Sequence, residues 1–261
     1  MMARLGWTRA VAGLRRVALP AAGLIGWELI ARSGLLSPII FPSLARIGRE
    51  LAWLVVRPDA LQDVGLSLYR ALGGFALAAV VGVAIGVAMG RWPWLGRLLD
   101  PFLSGTYPIP KIALLPIFIF LFGIGSLSKV LLVFLECLYP VVINAAAGAR
   151  AVNRVLVWSA LNMGASRRRI LWRVVVPAAA PYVFAGFRVA LPIALIVVVI
   201  TEMISSADGL GYLVIYSLSS LQTDRMLAAV VVIALLGLVL DRLLGWLRDR
   251  LVFWERLESY Y

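Results

Sequence analysis

The residues of this chain that could do chemistry are few, and several lie where chemistry is costly. Glu28, Glu136 and Glu202 all fall inside long apolar runs. A charged side chain at the bilayer centre costs about 2.5–3.5 kcal/mol on insertion scales, so each of these needs a partner, a proton or water. Glu28 and Glu202 stand near the ends of their runs and can reach an interface, which favours structural roles. Glu136 is deeper, with Tyr139, Pro140 and Asn144 one and two turns further on. Two readings stay open there. Glu136, Tyr139 and Asn144 face a path across the membrane, or Glu136 is protonated or paired with a neighbouring helix. Arg188, about two turns into another run, either snorkels toward the interface or binds an anion.

What is missing narrows the chemistry further. The chain has no histidine, which excludes imidazole metal sites and acid–base relays. Its single cysteine, Cys137, sits in an apolar run, so neither an intrachain disulfide nor a thiolate cluster can form, and a buried structural role is expected. A phosphate-binding Walker loop needs glycine and lysine followed by serine or threonine, whereas the two lysines follow Pro110 and Ser128. A membrane-embedded enzyme would need a nucleophile–base or metal constellation, and the scattered carboxylates supply none. The net charge of +12 is almost all arginine. These arginines cluster at the ends of apolar runs and share no single face, which argues against nucleic-acid binding.

The elements that position these residues are membrane spans. Hydrophobic residues make up 62% of the chain, charged ones 15%, and the mean hydropathy is +0.96. A soluble domain carries about 25% charged and 45–50% apolar residues. Six spans are expected, at residues 17–31, 66–90, 112–127, 130–149, 181–203 and 226–244. The first follows Arg4, Arg9, Arg15 and Arg16 as a signal peptide would, but no small-residue cleavage site follows it, so it reads as an uncleaved span. With the N-terminus inside, 17 arginines and lysines fall in inner segments and six in outer ones. Both termini are therefore expected in the cytoplasm. Trp92, Trp94, Trp158, Trp172, Trp246 and Trp254 follow inner span ends or lie in the large inner loop, where an indole is favoured.

Gly74, Ala78, Gly82, Gly86 and Gly90 recur every four residues in the second span and form one smooth stripe. It serves either packing within one subunit or a surface that moves. Residues 212–221 are apolar enough for a short interfacial helix after a turn at Asp208, Gly209 and Gly211. The helix is expected to continue beyond Asp241 with Leu243, Leu244, Leu247, Leu251 and Val252 on one side. No internal repeat stands out. The inner loop, residues 150–180, is the most informative segment. It holds six arginines and no acidic residue. Gly164 can end one helix in the left-handed conformation, Ser166 can cap the next, and Leu161, Ile170 and Leu171 can supply apolar contacts. Pro177 and Pro181 mark the start of the fifth span. Such a rigid basic elbow can dock a soluble partner, or it is simply a positively charged anchor. Shape alone leaves both open.

Gly164, nine residues, Val174, one residue, then Val176-Pro177 resembles the motif of permease subunits of binding-protein-dependent ABC importers: E-A-A, three residues, G, nine residues, I-x-L-P. The chain from about residue 67 to 250 is similar to the subfamily for nitrate, sulfonate, taurine and related solutes. The matching stretches are Pro108-Ile109-Pro110, Phe122-Gly123-Ile124-Gly125, Gly164-Ala165-Ser166, Pro177-Ala178-Ala179, Gly186-Phe187-Arg188, Glu202-Met203 and Gly209-Leu210-Gly211-Tyr212, in that order. Where the family has E-A-A, this chain has Trp158-Ser159-Ala160 and lacks the acid.

The resemblance implies an all-α polytopic protein of the bacterial inner membrane, with about six transmembrane helices. It divides into a cytoplasmic tail (1–16), a permease domain (17–249, coupling loop 150–180) and a second cytoplasmic tail (250–261). The elbow would be the coupling helix inserted into an ATPase subunit, with Ala160, Met163, Gly164, Ala165, Ser166, Arg167, Arg168 and Pro177 at the contact. Without the glutamate, that contact is weaker or carried differently through Arg154 and Arg167–Arg169. Glu202, in a family-like string, suits a gate or hinge. The implied partners are ABC ATPase subunits, an extracytoplasmic binding protein, a second permease copy and the lipid bilayer. No cofactor binds this chain, ATP and magnesium belonging to the ATPase, and transport proceeds by alternating access. Small anions such as nitrate, sulfonates or bicarbonate are the implied solutes, with pyrimidine vitamin precursors as another possibility; an ionised Glu136 on the path would tilt toward a neutral or cationic solute. An ion-coupled secondary transporter is the alternative, and it would need paired mid-membrane acids and inverted repeats.

Overall fold

A computed structural model describes residues 18–254. The expected tail 1–16 and the end of the chain from residue 255, with their arginines, lie outside the described residues. Within them every regular element is helical: α1 (residues 18–32), α2 (Leu44–Val56), α3 (Pro58–Arg91), α4 (Pro93–Thr106), a 3₁₀ turn (Lys111–Leu114), α5 (Leu115–Phe122), α6 (Ser126–Ala151), α7 (Arg154–Asn162), α8 (Arg167–Ile170), a π turn (Leu171–Val175), α9 (Val176–Ser205), α10 (Leu210–Ser219) and α11 (Thr223–Leu251). Four helical runs are long and apolar enough to cross a membrane, namely α3, α6, α8 through α9, and α11. The bent pair of α4 with the 3₁₀ turn and α5 makes a fifth candidate.

The third expected span, residues 112–127, is corrected by this pair. Its two halves meet at 83°, and α5 is only eight residues long. Pro108 and Pro110 carry no N–H to continue the helical ladder, and Pro110 itself is extended (φ −71°, ψ 95°), so the bend falls between Thr106 and Lys111. Gly123, at φ +79°, then ends α5. Lys111 and Lys129, which the orientation count placed in inner and outer loops, are both buried. The arginine bias is unaffected.

Contacts divide the chain into two compact units. The first comprises residues up to Leu61 with Leu213–Val232. There Trp27 stacks on Phe41 at 4.0 Å and donates to the Pro42 carbonyl at 3.0 Å. Glu28 accepts from Arg32 at 2.6 Å and from the Leu44 N–H at 2.8 Å, so this acid sits at the positive N-terminal end of α2. Arg225 lies over the Trp53 ring, and Arg46 pairs with Asp224.

The second unit comprises Gln62–Tyr212 with residues from Ile233 onward. Its core is α6 packed on α9, with Leu132, Val133, Cys137 and Val141 meeting Ala190, Ala194 and Val198. The glycine stripe of α3 faces α6 along its length. Gly74 lies against Val130 and Val133, Gly82 against Val141, Gly86 against Ala145, and Gly90 against Ala149, while Ala78 is fully buried. Only residues without a side chain beyond a methyl let the two backbones come this close.

Candidate functional site

At one end of the second unit the chain builds the elbow. Asn153 starts α7, its side chain accepting from the Val155 N–H at 2.9 Å. Gly164, at φ +77°, ends it: the Ala165 N–H donates to the Ala160 carbonyl at 3.0 Å and the Gly164 N–H to the Leu161 carbonyl at 2.9 Å. These are the two bonds of a Schellman close, which needs a left-handed residue at this point. The Ser166 hydroxyl then accepts from the Arg169 N–H at 3.3 Å and caps α8. Ala160 and Ile170 are buried against Val87, Ala149 and Val175, so the elbow is seated on α3 and α6. Leu161, expected among the inner contacts, lies about 100° round the helix from Ala160 and is exposed. Val155, Leu156 and Trp158 are exposed, and Met163 at the tip is 80% exposed, with Arg154, Arg167, Arg168 and Arg169 around them. Pro177 stands in the first turn of α9.

At the other end lies a buried polar cluster that sequence reasoning did not assemble. Arg70 of α3, 3% exposed, donates to Glu202 at 2.7 Å, to Asp208 at 2.6 Å and to Ser126 at 3.0 Å. Glu202, fully buried, also accepts from the Ser67 hydroxyl at 2.7 Å and the Gly211 N–H at 3.0 Å. Asp63 accepts from the Gly209 N–H at 2.7 Å. Gly209 (φ +95°) and Gly211 are obligatory, because a Cβ on either would run into Glu202. Burial pushes the Asp208 carboxyl up, but hydrogen bonds from Arg70 and Ser206, with the charges of Arg70 and Lys129, outweigh it and hold it below the ordinary carboxylate value. A readable signal existed: an arginine and a glutamate in separate spans, each needing a partner, are best satisfied by one another.

Between these ends, at mid-length of α6, lies a third group. Tyr139 is the fourteenth of the 26 residues of α6, and its hydroxyl shares a hydrogen bond with Thr106 at 2.8 Å. The Lys111 ammonium lies 4.1 Å from the Tyr139 ring centroid and 5.5 Å from that of Tyr107. It donates to the Tyr107 and Ile109 carbonyls at 3.1 and 3.2 Å. Lys129, nearer the end of α6, donates instead to three carbonyls, those of Ile124, Gly125 and Ser205. The structure does not place Glu136, Tyr139 and Asn144 on one face. Asn144 donates to the Pro140 carbonyl at 2.8 Å and packs beside Gly186 of α9, about 140° round α6 from Tyr139. Glu136 is half-buried. Arg188 approaches Asp241 of α11 at 3.4 Å, beside a cavity of about 490 Å³ that also holds Arg242, Trp246 and Arg248.

The profile of the family described as binding-protein-dependent transport system inner membrane component matches residues 61–253. The chain belongs to that family. A putative ABC transporter permease of Methanocaldococcus jannaschii is 34% identical over 87% of this chain and 86% of its own length. The taurine transport system permease protein of Escherichia coli is 34% identical over 82% and 80%. The bicarbonate transport system permease protein of Synechococcus elongatus is 28% identical over 87% and 86%. Among solved structures, an inward-facing form of the MetNI methionine ABC transporter matches in fold with a TM-score of 0.62 and 20% identity, covering 77% of this chain and 96% of that one. This permease is therefore a multi-pass inner-membrane subunit of an ABC transporter. It is not itself an enzyme, and ATP is hydrolysed by a separate subunit working with a solute-binding protein.

Proposed function

We propose that two copies of this permease form the path for a small anion of the sulfonate or bicarbonate type, fed by an extracytoplasmic binding protein and driven by two ATPase subunits. The observation that carries this reading is the elbow. A ledge stiffened by a Schellman close and a serine cap, seated on α3 and α6, moves with those helices when it is pushed. Its outward side mixes apolar Val155, Leu156 and Met163 with arginines, as a surface built for a protein groove requires. Ala160, Met163, Gly164, Ala165, Ser166, Arg167, Arg168 and Pro177 transmit the ATPase motion. Trp158, in the place of the family glutamate, contributes contact area and no charge.

The arginine bias supports both termini in the cytoplasm, on the elbow side. The Arg70–Glu202 cluster then lies at the outer end, where it holds the loop at Asp208 closed against α3 and acts as a gate. Glu136 and Tyr139 border the path at mid-depth. The relatives named for taurine, aliphatic sulfonates and bicarbonate supply the solute class.

Cross-linking tests the reading directly, because Cys137 is fully buried and gives little background. A Met163→Cys permease co-expressed with its ATPase should form a disulfide or maleimide link to that subunit, and should react with an impermeant thiol reagent only in inside-out vesicles. Labelling from the outer side, or no link to the ATPase in an assembled complex, refutes it.

A further inference from the structure

The chain has only two lysines, both buried, and they are satisfied differently. Lys129 spends its three N–H donors on three carbonyls. Lys111, 5% exposed, has two carbonyls and a ring face, and no carboxylate pairs with it among the described residues. Its depth is fixed by Tyr139, at the midpoint of a helix that crosses the membrane. It also adjoins the break of the α4–α5 pair, residues 107–110, where the regular helix is interrupted. Irregular backbone at membrane depth is tolerated where it is buried in protein or lines a cavity. Ionisable groups at that depth mark solute and ion paths.

A cavity of about 350 Å³ meets this break. Asp100, Leu103, Ser104, Ile143 and Arg150 line it, with Tyr107 as a member shared with the lysine cage. Arg150 and Asp100 pair at 2.8 Å toward the end of α6 that carries the elbow, so the cavity leads from that end up to the bend.

We propose that the Lys111 ammonium at the Tyr107–Pro110 bend is the charge that selects an anionic solute at mid-membrane. When the bend opens, a carboxylate, sulfonate or bicarbonate oxygen takes the place of the carbonyls, and the hydroxyls of Tyr139 and Thr106 are within reach as further donors. Solutes without an anionic oxygen gain nothing from this exchange. Glu136, less than one turn from Tyr139, forms no ion pair with Lys111 among the described residues. This inference rests on the small-anion reading above.

The test uses the whole transporter, with binding protein and ATPase, in proteoliposomes. Uptake is measured for labelled taurine, ethanesulfonate and bicarbonate, with an uncharged aminopyrimidine as control. Lys111→Met should lower kcat/KM for the transported anion at least tenfold, Lys111→Arg should keep it within about threefold, and Glu136→Gln should not reduce it. Lys111→Cys should be inactive and regain uptake when a cationic aminoethyl methanethiosulfonate restores the ammonium, but not with the anionic sulfonatoethyl reagent. That charge-specific rescue would not follow if the lysine only held the fold. Normal anion uptake by an assembled Lys111→Met complex, or equal rescue by both reagents, overturns this inference alone. Wild-type uptake of the aminopyrimidine and of none of the anions overturns the anion reading itself.

Discussion

Alanine at Gly74 should force the two central helices of the second unit apart, while alanine at its neighbour Gly73 should not. A methyl built on Gly74 would lie 2.6 Å from the Val130 carbonyl oxygen and equally close to the Val133 side chain. Ordinary contact needs about 3.5–4.0 Å, so α3 and α6 must part by about 1 Å. A gap of that size forfeits about a quarter to a half of the attraction at each contact along the seam. Overpacking of this kind costs about 1–3 kcal/mol, and the better helix propensity of alanine returns at most about 1 kcal/mol. The net expectation for Gly74→Ala is a loss of about 1–2 kcal/mol. A methyl on Gly73 meets Val130 at 3.7 Å, an ordinary contact, so Gly73→Ala should fall between neutral and about 1 kcal/mol stabilising. The two sites share a helix and a depth, which cancels most effects of detergent. Unfolding of the purified permease in a graded SDS titration, followed by tryptophan fluorescence, should separate the variants by about 1–3 kcal/mol. Equal midpoints would refute the close approach of α3 and α6.

Three further outcomes are expected. Glu202→Gln leaves the buried Arg70 with Asp208 as its one carboxylate partner; breaking a buried pair costs about 3–5 kcal/mol, so the variant should show a lower melting temperature or fail to accumulate. Because the Asp208 carboxyl is held below the ordinary value of about 3.9, its stabilisation is complete above that pH and fades as pH falls through its lower folded value. Thermal melts between pH 5 and 8 should be insensitive to this group, and Asp208→Asn should lose the part of the decline seen below about pH 4. Gly164→Ala forces a left-handed alanine at a cost of about 1–2 kcal/mol, whereas Gly164→Asn should be tolerated. Solute-stimulated ATPase activity of the assembled transporter should therefore fall with alanine and survive with asparagine.

Much of the fold could be read from sequence because lipid imposes a simple rule: long apolar runs must be helices. The runs that became α3, α6, α9 and α11 were therefore legible, and each helix extends beyond its apolar run by a few residues. The elbow was legible because Gly164 and Ser166 have local backbone roles that do not depend on distant contacts. The α4–α5 bend was not, because hydropathy does not distinguish a straight run from a folded one, and proline is as acceptable at the start of a helix as at a bend. The polar cluster was missed for a different reason. Arg70 and Glu202 are 132 residues apart, and only the packing of α3 and α9 brings them together. Spacing along α6 suggested that Glu136, Tyr139 and Asn144 belong together, but Tyr139 meets Thr106 of α4 whereas Asn144 packs beside Gly186 of α9.

The internal position of both lysines has a consequence for how the surface of this subunit behaves. Among the described residues all of the outward positive charge is guanidinium, which neither titrates under physiological conditions nor accepts an acetyl group. Amine-directed cross-linkers and mass tags will find no lysine side chain on the outside, so a transporter mapped with them would under-report the contacts of this subunit.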